Sequence, residues 1–133
     1  GLDLSPQIEN RGLLRRQGVA ELLRVTDMFL DVSDYQAFGR TGLESMACGA
    51  IPVVPVLGGT GEFAVHGHNA YVVDTRSDDA IMEAVRHFAA LSDQDRNKMR
   101  LNALETAANF TVEKASLSLM RLFADIAASG KSD

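Results

Sequence analysis

The chain contains no tryptophan, one cysteine, three prolines and three histidines, and its anionic side chains outnumber its cationic ones. Each shortage removes a class of protein. Cys48 has no partner for an internal disulfide and cannot build a cysteine-based zinc site. His66 and His68 sit in a His-Gly-His turn whose nearest carboxylate is Glu62, and that spacing fits no metal site. A solvated loop is the expectation there, with no bound metal and no cofactor. The 13 Lys and Arg against 18 Asp and Glu leave a net charge of -5, the wrong sign for general binding to nucleic acid or to an anionic membrane. No stretch approaches the ~18 consecutive apolar residues of a membrane span. The opening Gly-Leu-Asp-Leu-Ser has neither the basic nor the apolar segment of a secretion signal. A soluble protein of a reducing, cytoplasmic compartment is expected.

What the chain does have is apolar patterning. Hydrophobic residues fill 46% of 133 positions, enough for the core of one domain and too many for intrinsic disorder. Residues 1–12 give little signal, with Ile8 to Gly12 reading at most as the tail of a strand. Gln17 to Val25 sets Val19, Leu22 and Leu23 at helical spacing. Met28 to Val32, Ile51 to Val56 and Ala70 to Val73 read as strands. Pro52 and Pro55 lack ladder donors and belong at the ends of the second strand or at a bulge. Thr41 is placed to cap a helix from Gly42 through Cys48, which Gly49 stops. Leu57 to Gly61 reads as a loop and Glu62 to Ala64 as a helical turn. Ser77 caps a further helix, with Asp78 and Asp79 at its positive end and Ile81, Ala84, Val85, Phe88 and Leu91 along one face. Ser92 and Thr111 are good caps for two more helices, over 93–108 and 112–128, the second burying Ala115, Leu119, Leu122, Phe123 and Ile126. Strands alternating with helices indicate an α/β fold with a parallel sheet covered by helices. The right-handed crossover rule makes it part of a doubly wound, Rossmann-like sheet.

Ligands of such sheets bind beyond the carboxyl ends of the strands, where Ser33 to Thr41 and Leu57 to Gly61 lie. A helix start offers unpaired amides and partial positive charge, so Arg40 and Thr41 suit a phosphate there. The same residues also read as a plain capped loop with an exposed arginine. Glu44, in the first turn of that helix, can accept two hydrogen bonds from a diol such as a ribose, or simply stabilise the helix dipole. Gly58-Gly59-Thr60-Gly61-Glu62 lets backbone approach a ligand but is not a G-x-G-x-x-G loop, and Glu62 reads equally as a surface carboxylate. Cys48, with no histidine near it in sequence, reads as a small buried apolar residue rather than a nucleophile. No Ser-His-Asp arrangement, metal signature or Walker loop is present.

Phe29-Leu30-Asp31-Val32-Ser33, then Gln36-Ala37-Phe38-Gly39-Arg40-Thr41-Gly42-Leu43-Glu44-Ser45-Met46-Ala47-Cys48-Gly49, Ile51-Pro52-Val53-Val54, Gly58-Gly59-Thr60-Gly61-Glu62 and Gly67-His68-Asn69-Ala70-Tyr71-Val72-Val73 follow one another along the chain. In that succession they resemble the C-terminal, donor-binding domain of GT-B fold glycosyltransferases. The family is the large retaining one, glycosyl transferases group 1, typified by sucrose synthases and bacterial lipopolysaccharide and mannosyl transferases. The resemblance runs from Gly12 to Ile126.

Of the two glutamates in the family pattern, Glu44 matches the second, which implies a ribose ligand. The first falls at Gln36, an amide that can hydrogen-bond a sugar hydroxyl but cannot act as a base. The resemblance further implies donor-sugar contacts from Gln36, Ala37, Phe38 and Gly39, diphosphate contacts from Arg40 and Thr41, and main-chain contacts from Leu14 to the base. The Arg and Lys that clamp the diphosphate in the family, and the acceptor-binding N-terminal domain, have no counterpart in these residues. Residues 1–133 therefore read as a single nucleotide-sugar-binding domain, the incomplete C-terminal half of a GT-B fold cut from a two-domain enzyme and inactive alone. The parent is expected to move a sugar from a nucleotide diphosphate sugar, a substrate rather than a cofactor, to an acceptor during glycan biosynthesis. The missing part would be its route to the inner face of the membrane. The alternatives are a non-catalytic nucleotide-sugar binding or assembly module, which Gln36 favours, and a sugar-nucleotide epimerase of the same fold. Loss of the upstream strands exposes an apolar sheet edge, so self-association is also expected.

Overall fold

The computed structural model describes residues 8–35 and 40–131, and within the last helix the side chains up to Phe110 and those of 124 and 126–128. The three apolar runs form β1 (Met28–Leu30), β2 (Ile51–Pro55) and β3 (Tyr71–Val73). All pair in parallel in the order β1-β2-β3, with Met28 opposite Ile51 and Val53 opposite Tyr71. This is the pairing that the strand–helix alternation predicts. Central β2 is buried along its whole length, as its uninterrupted apolar run requires, and its prolines take the second and last positions.

Four helices pack around this sheet: α1 (Arg16–Arg24), α2 (Arg40–Ala47), α3 (Asp78–Ala90) and α4 (Asp93–Lys131). The end of α2 follows from Gly49, whose φ of 82° only glycine adopts without strain. Gly49 N donates to the Met46 carbonyl at 3.0 Å and Ala50 N to the Ser45 carbonyl at 3.0 Å, a complete Schellman turn. The start of α2 departs from expectation. The helix already runs at Arg40, so Thr41 lies inside its first turn and is not the capping residue. Ser77 caps α3 by accepting from Ala80 N at 3.2 Å, and Ser92 Oγ accepts from Asp95 N at 3.1 Å at the start of α4.

No second helix starts at Thr111. The segment between Ala107 and Glu113 has neither Gly nor Pro, and its β-branched residues cost only about 0.7 kcal/mol each at most, so α4 continues as one helix of 39 residues. Ile126, expected in the core, is 58% exposed. Ala115, Leu119, Leu122 and Phe123 lie outside the described side chains.

The core gathers Met46, Ile51, Val53, Val54, Phe63, Tyr71, Phe88 and Met99. Met99, Ala103 and Ala107 recur every four residues along α4 and form its buried stripe, where α4 lies against α2. Phe110 meets Phe63 edge to face at 6.0 Å. Gly42 brings α2 close to β2: a methyl group there would stand 3.1 Å from Val54 Cγ1. Asn69 is buried with its polar atoms engaged. Its Oδ1 accepts from Val65 N at 2.8 Å, and its Nδ2 donates to the Phe63 carbonyl and to Thr106 Oγ1, each at 3.0 Å.

Candidate functional site

The chain leaves β1 through Asp31, whose carboxylate is buried. Asp31 Oδ1 accepts from Ser33 N at 3.1 Å and from Ser33 Oγ at 2.5 Å, and the Ser33 carbonyl accepts from Thr75 Oγ1 at 2.5 Å. The loop that follows β1 is thereby tied to the one that follows β3. Asp31 Oδ2 is buried without a hydrogen-bond partner. After β2, Gly58 turns the chain at φ 109°, and buried Thr60 donates its hydroxyl to the Pro55 carbonyl at 2.8 Å. This bond fixes the 3₁₀ turn Gly59–Glu62 against the strand end, starting within the expected loop and three residues before the helical turn expected at Glu62 to Ala64.

Between α1 and α2 lies a groove of about 280 Å³. Leu14, Arg16, Val19, Ala20 and Leu23 line it from the α1 side, and Glu44, Ala47 and Cys48 from α2. Its floor is apolar and its charged groups are Arg16 and Glu44. Glu44 Oε1 accepts from Arg40 Nε at 3.2 Å, one helical turn back. Leu14 and Glu44, distant in sequence, therefore share one groove, with Arg40 paired to Glu44 and Thr41 exposed beside Arg40. Gln36, Ala37, Phe38 and Gly39 lie outside the described residues.

One reading from sequence changes here. Cys48 is only partly buried and forms a wall of the groove instead of filling the core. Its i, i+4 relation to Glu44 puts both on one helix face, which was the available signal. Arg16 and Asp31 were not singled out, because their surroundings come from packing between elements distant in sequence.

A second cavity, of about 400 Å³, lies between β3 and α3 and includes His66, Tyr71, Glu83 and His87. Its histidines are already engaged. His66 Nδ1 accepts from Val72 N at 3.0 Å, and His87 Nδ1 pairs with the Tyr71 hydroxyl at 2.7 Å. Burial raises the Tyr71 pKa above its ordinary value. In the loop after β3, hydrogen bonds from Arg76 lower the pKa of Asp74, and Arg76 is raised in turn. Among the described residues no cluster of three or more His, Cys, Asp or Glu could hold a metal ion, and no helix is long and apolar enough to cross a membrane.

Residues 2–106 match the family model of glycosyl transferases group 1. The chain belongs to this family. Among sequence relatives of this group 1 chain, N-acetyl-alpha-D-glucosaminyl L-malate synthase of Bacillus anthracis is 38% identical over 69 residues, covering 50% of the chain and 18% of the synthase. Among solved structures, the C-terminal domain of the group 1 family protein LpcC from Francisella tularensis superposes with a TM-score of 0.66 at 21% identity, covering 74% of the chain and 50% of that domain. Anabaena HepE, solved with UDP and glucose, superposes with a TM-score of 0.68 at 21% identity, covering 80% of the chain and 30% of HepE. The group 1 chain thus spans a minor part of its longer relatives, and its fold is an incomplete half of the GT-B architecture.

Proposed function

We propose that the chain is the donor-nucleotide-holding domain of a two-domain glycosyltransferase that moves a sugar from a nucleotide diphosphate sugar to an acceptor with retention of configuration. The observation that supports this reading is the α1–α2 groove, which Leu14 and Glu44 both line, with Arg40 paired to Glu44; base, ribose and diphosphate would meet these three residues in turn. The Glu44 carboxylate accepts from both hydroxyls of a ribose diol, and Arg40 then turns from Glu44 toward phosphate, where its donors meet the charge of the anion. The complex of HepE with UDP and glucose supports a nucleotide-sugar donor.

In the reaction the bond between the anomeric carbon and the diphosphate oxygen breaks, and the acceptor oxygen bonds to that carbon on the same face. The acceptor proton passes to the departing phosphate. Arg40, Thr41 and the first turn of α2 face the negative charge that grows on the diphosphate, stabilising the transition state more than the ground state. Gln36 to Gly39 would hold the sugar. The acceptor is held by the N-terminal domain of the parent.

Titration calorimetry with UDP and GDP tests the nucleotide site. Glu44→Gln should weaken binding by roughly tenfold or more, the cost of losing hydrogen bonds to a charged group. Unaltered affinity would return Glu44 to a helix-dipole role. Gln36 favours a second reading, a nucleotide-sugar binding module without turnover. Turnover by the full-length parent with Gln36 intact supports the transferase. Binding without turnover, both with Gln36 and after Gln36→Glu, supports the module.

A further inference from the structure

Arg16 is the cation of the α1–α2 groove. It opens α1, two residues beyond Leu14, and its side chain lines the groove opposite Glu44. The groove's carboxylate is occupied by Arg40 at 3.2 Å, and the first turn of α1 carries no acidic residue. Among the described residues the Arg16 side chain has no hydrogen-bond or ion-pair partner. The surfaces between the two charged groups, Val19, Ala20, Leu23 and Ala47, are apolar.

An apolar slot with one donor-only group at its wall suits a flat ring that presents acceptors along its edge. A guanidinium offers five donors in a planar fork and accepts nothing. The O6 and N7 of guanine, or a pyrimidine O4, satisfy that fork, whereas adenine turns an amino donor toward it. The one carboxylate lining the groove is Glu44, already engaged by the ribose, which leaves the adenine amino group no acceptor there.

We infer that Arg16 selects the nucleobase of the donor, favouring the oxo bases uracil and guanine over adenine. This rests on the groove being the nucleotide site. Calorimetry of the chain itself with UDP, GDP and ADP, on the wild type, Arg16→Ala and Glu44→Gln, tests it. In the wild type UDP or GDP should bind at least about tenfold tighter than ADP, the discrimination expected of one bidentate arginine contact. Arg16→Ala should bring that ratio to within about twofold. Glu44→Gln should weaken all three and keep their ranking. UDP ahead of GDP identifies uracil, and the reverse identifies guanine. Equal affinities in the wild type, a preference for ADP, or an oxo-base preference that survives Arg16→Ala overturns the inference. The nucleotide reading then still stands if Glu44→Gln weakens binding. Failure of all three nucleotides to bind overturns both.

Discussion

Arg40 and Glu44 form a pair that stays 67% and 42% exposed, and exposed helical pairs of this spacing contribute only about 0.3–0.5 kcal/mol. Exchanging either partner for a ligand is therefore cheap. Arg40→Ala should leave the melting temperature nearly unchanged, weaken UDP more than uridine, and reduce the salt dependence of UDP binding. Equal losses for UDP and uridine would remove Arg40 from the diphosphate. Tyr71 gives a separate prediction in alkali. Its folded pKa lies above the ordinary 10.0, so the stability this burial lends is complete below the unfolded value and is lost as pH rises through the raised one. Tyr71→Phe should flatten the alkaline limb of the stability profile in chemical denaturation. The helix that carries Arg40, Thr41 and Glu44 was legible in sequence, though with its cap misplaced at Thr41, because helix signals are coded locally. Arg16 was not, since a cation at the start of α1 becomes part of a site only when α2 packs beside it.

The strands and the end of α2 were equally legible. β2 is a continuous apolar run between turn residues, and Gly49 carries the positive φ that stops α2. Thr111 was misread because a threonine caps a helix only if the chain before it has left helical geometry, and nothing between Ala107 and Phe110 forces that. Packing between elements makes two stability predictions. Gly42→Val pushes branched carbons into the space held by Val54 and the Phe63 ring, and should destabilise by about 1–3 kcal/mol. Asn69→Ala strands the Val65 amide and removes the link from the loop before β3 to Thr106 on α4, and should cost about 2–3 kcal/mol. Asn69 lies outside both the groove and α2, so urea denaturation should register its loss while nucleotide affinity, measured under native conditions, holds.

For the whole molecule, the family and the parallel sheet tie the chain to one half of a larger architecture. Among the described residues β1 has a strand partner on one side only, and Leu30 at its end and Val32 just beyond it are 44% and 57% exposed. An open apolar edge is a template for association, and a net charge of -5 is a weak deterrent. Sedimentation at micromolar concentration should show a mass above 14.4 kDa that Leu30→Lys lowers, and a monomer mass persisting on concentration would contradict this. Most direct is the thiol of Cys48, the chain's single cysteine, which lines the groove with Leu14 and Glu44. Saturating UDP or GDP should slow the reaction of Cys48 with a thiol reagent several-fold in the wild type, and much less in Glu44→Gln at the same concentration. An unchanged rate at concentrations where calorimetry shows the nucleotide bound would put the nucleotide elsewhere and contradict the account.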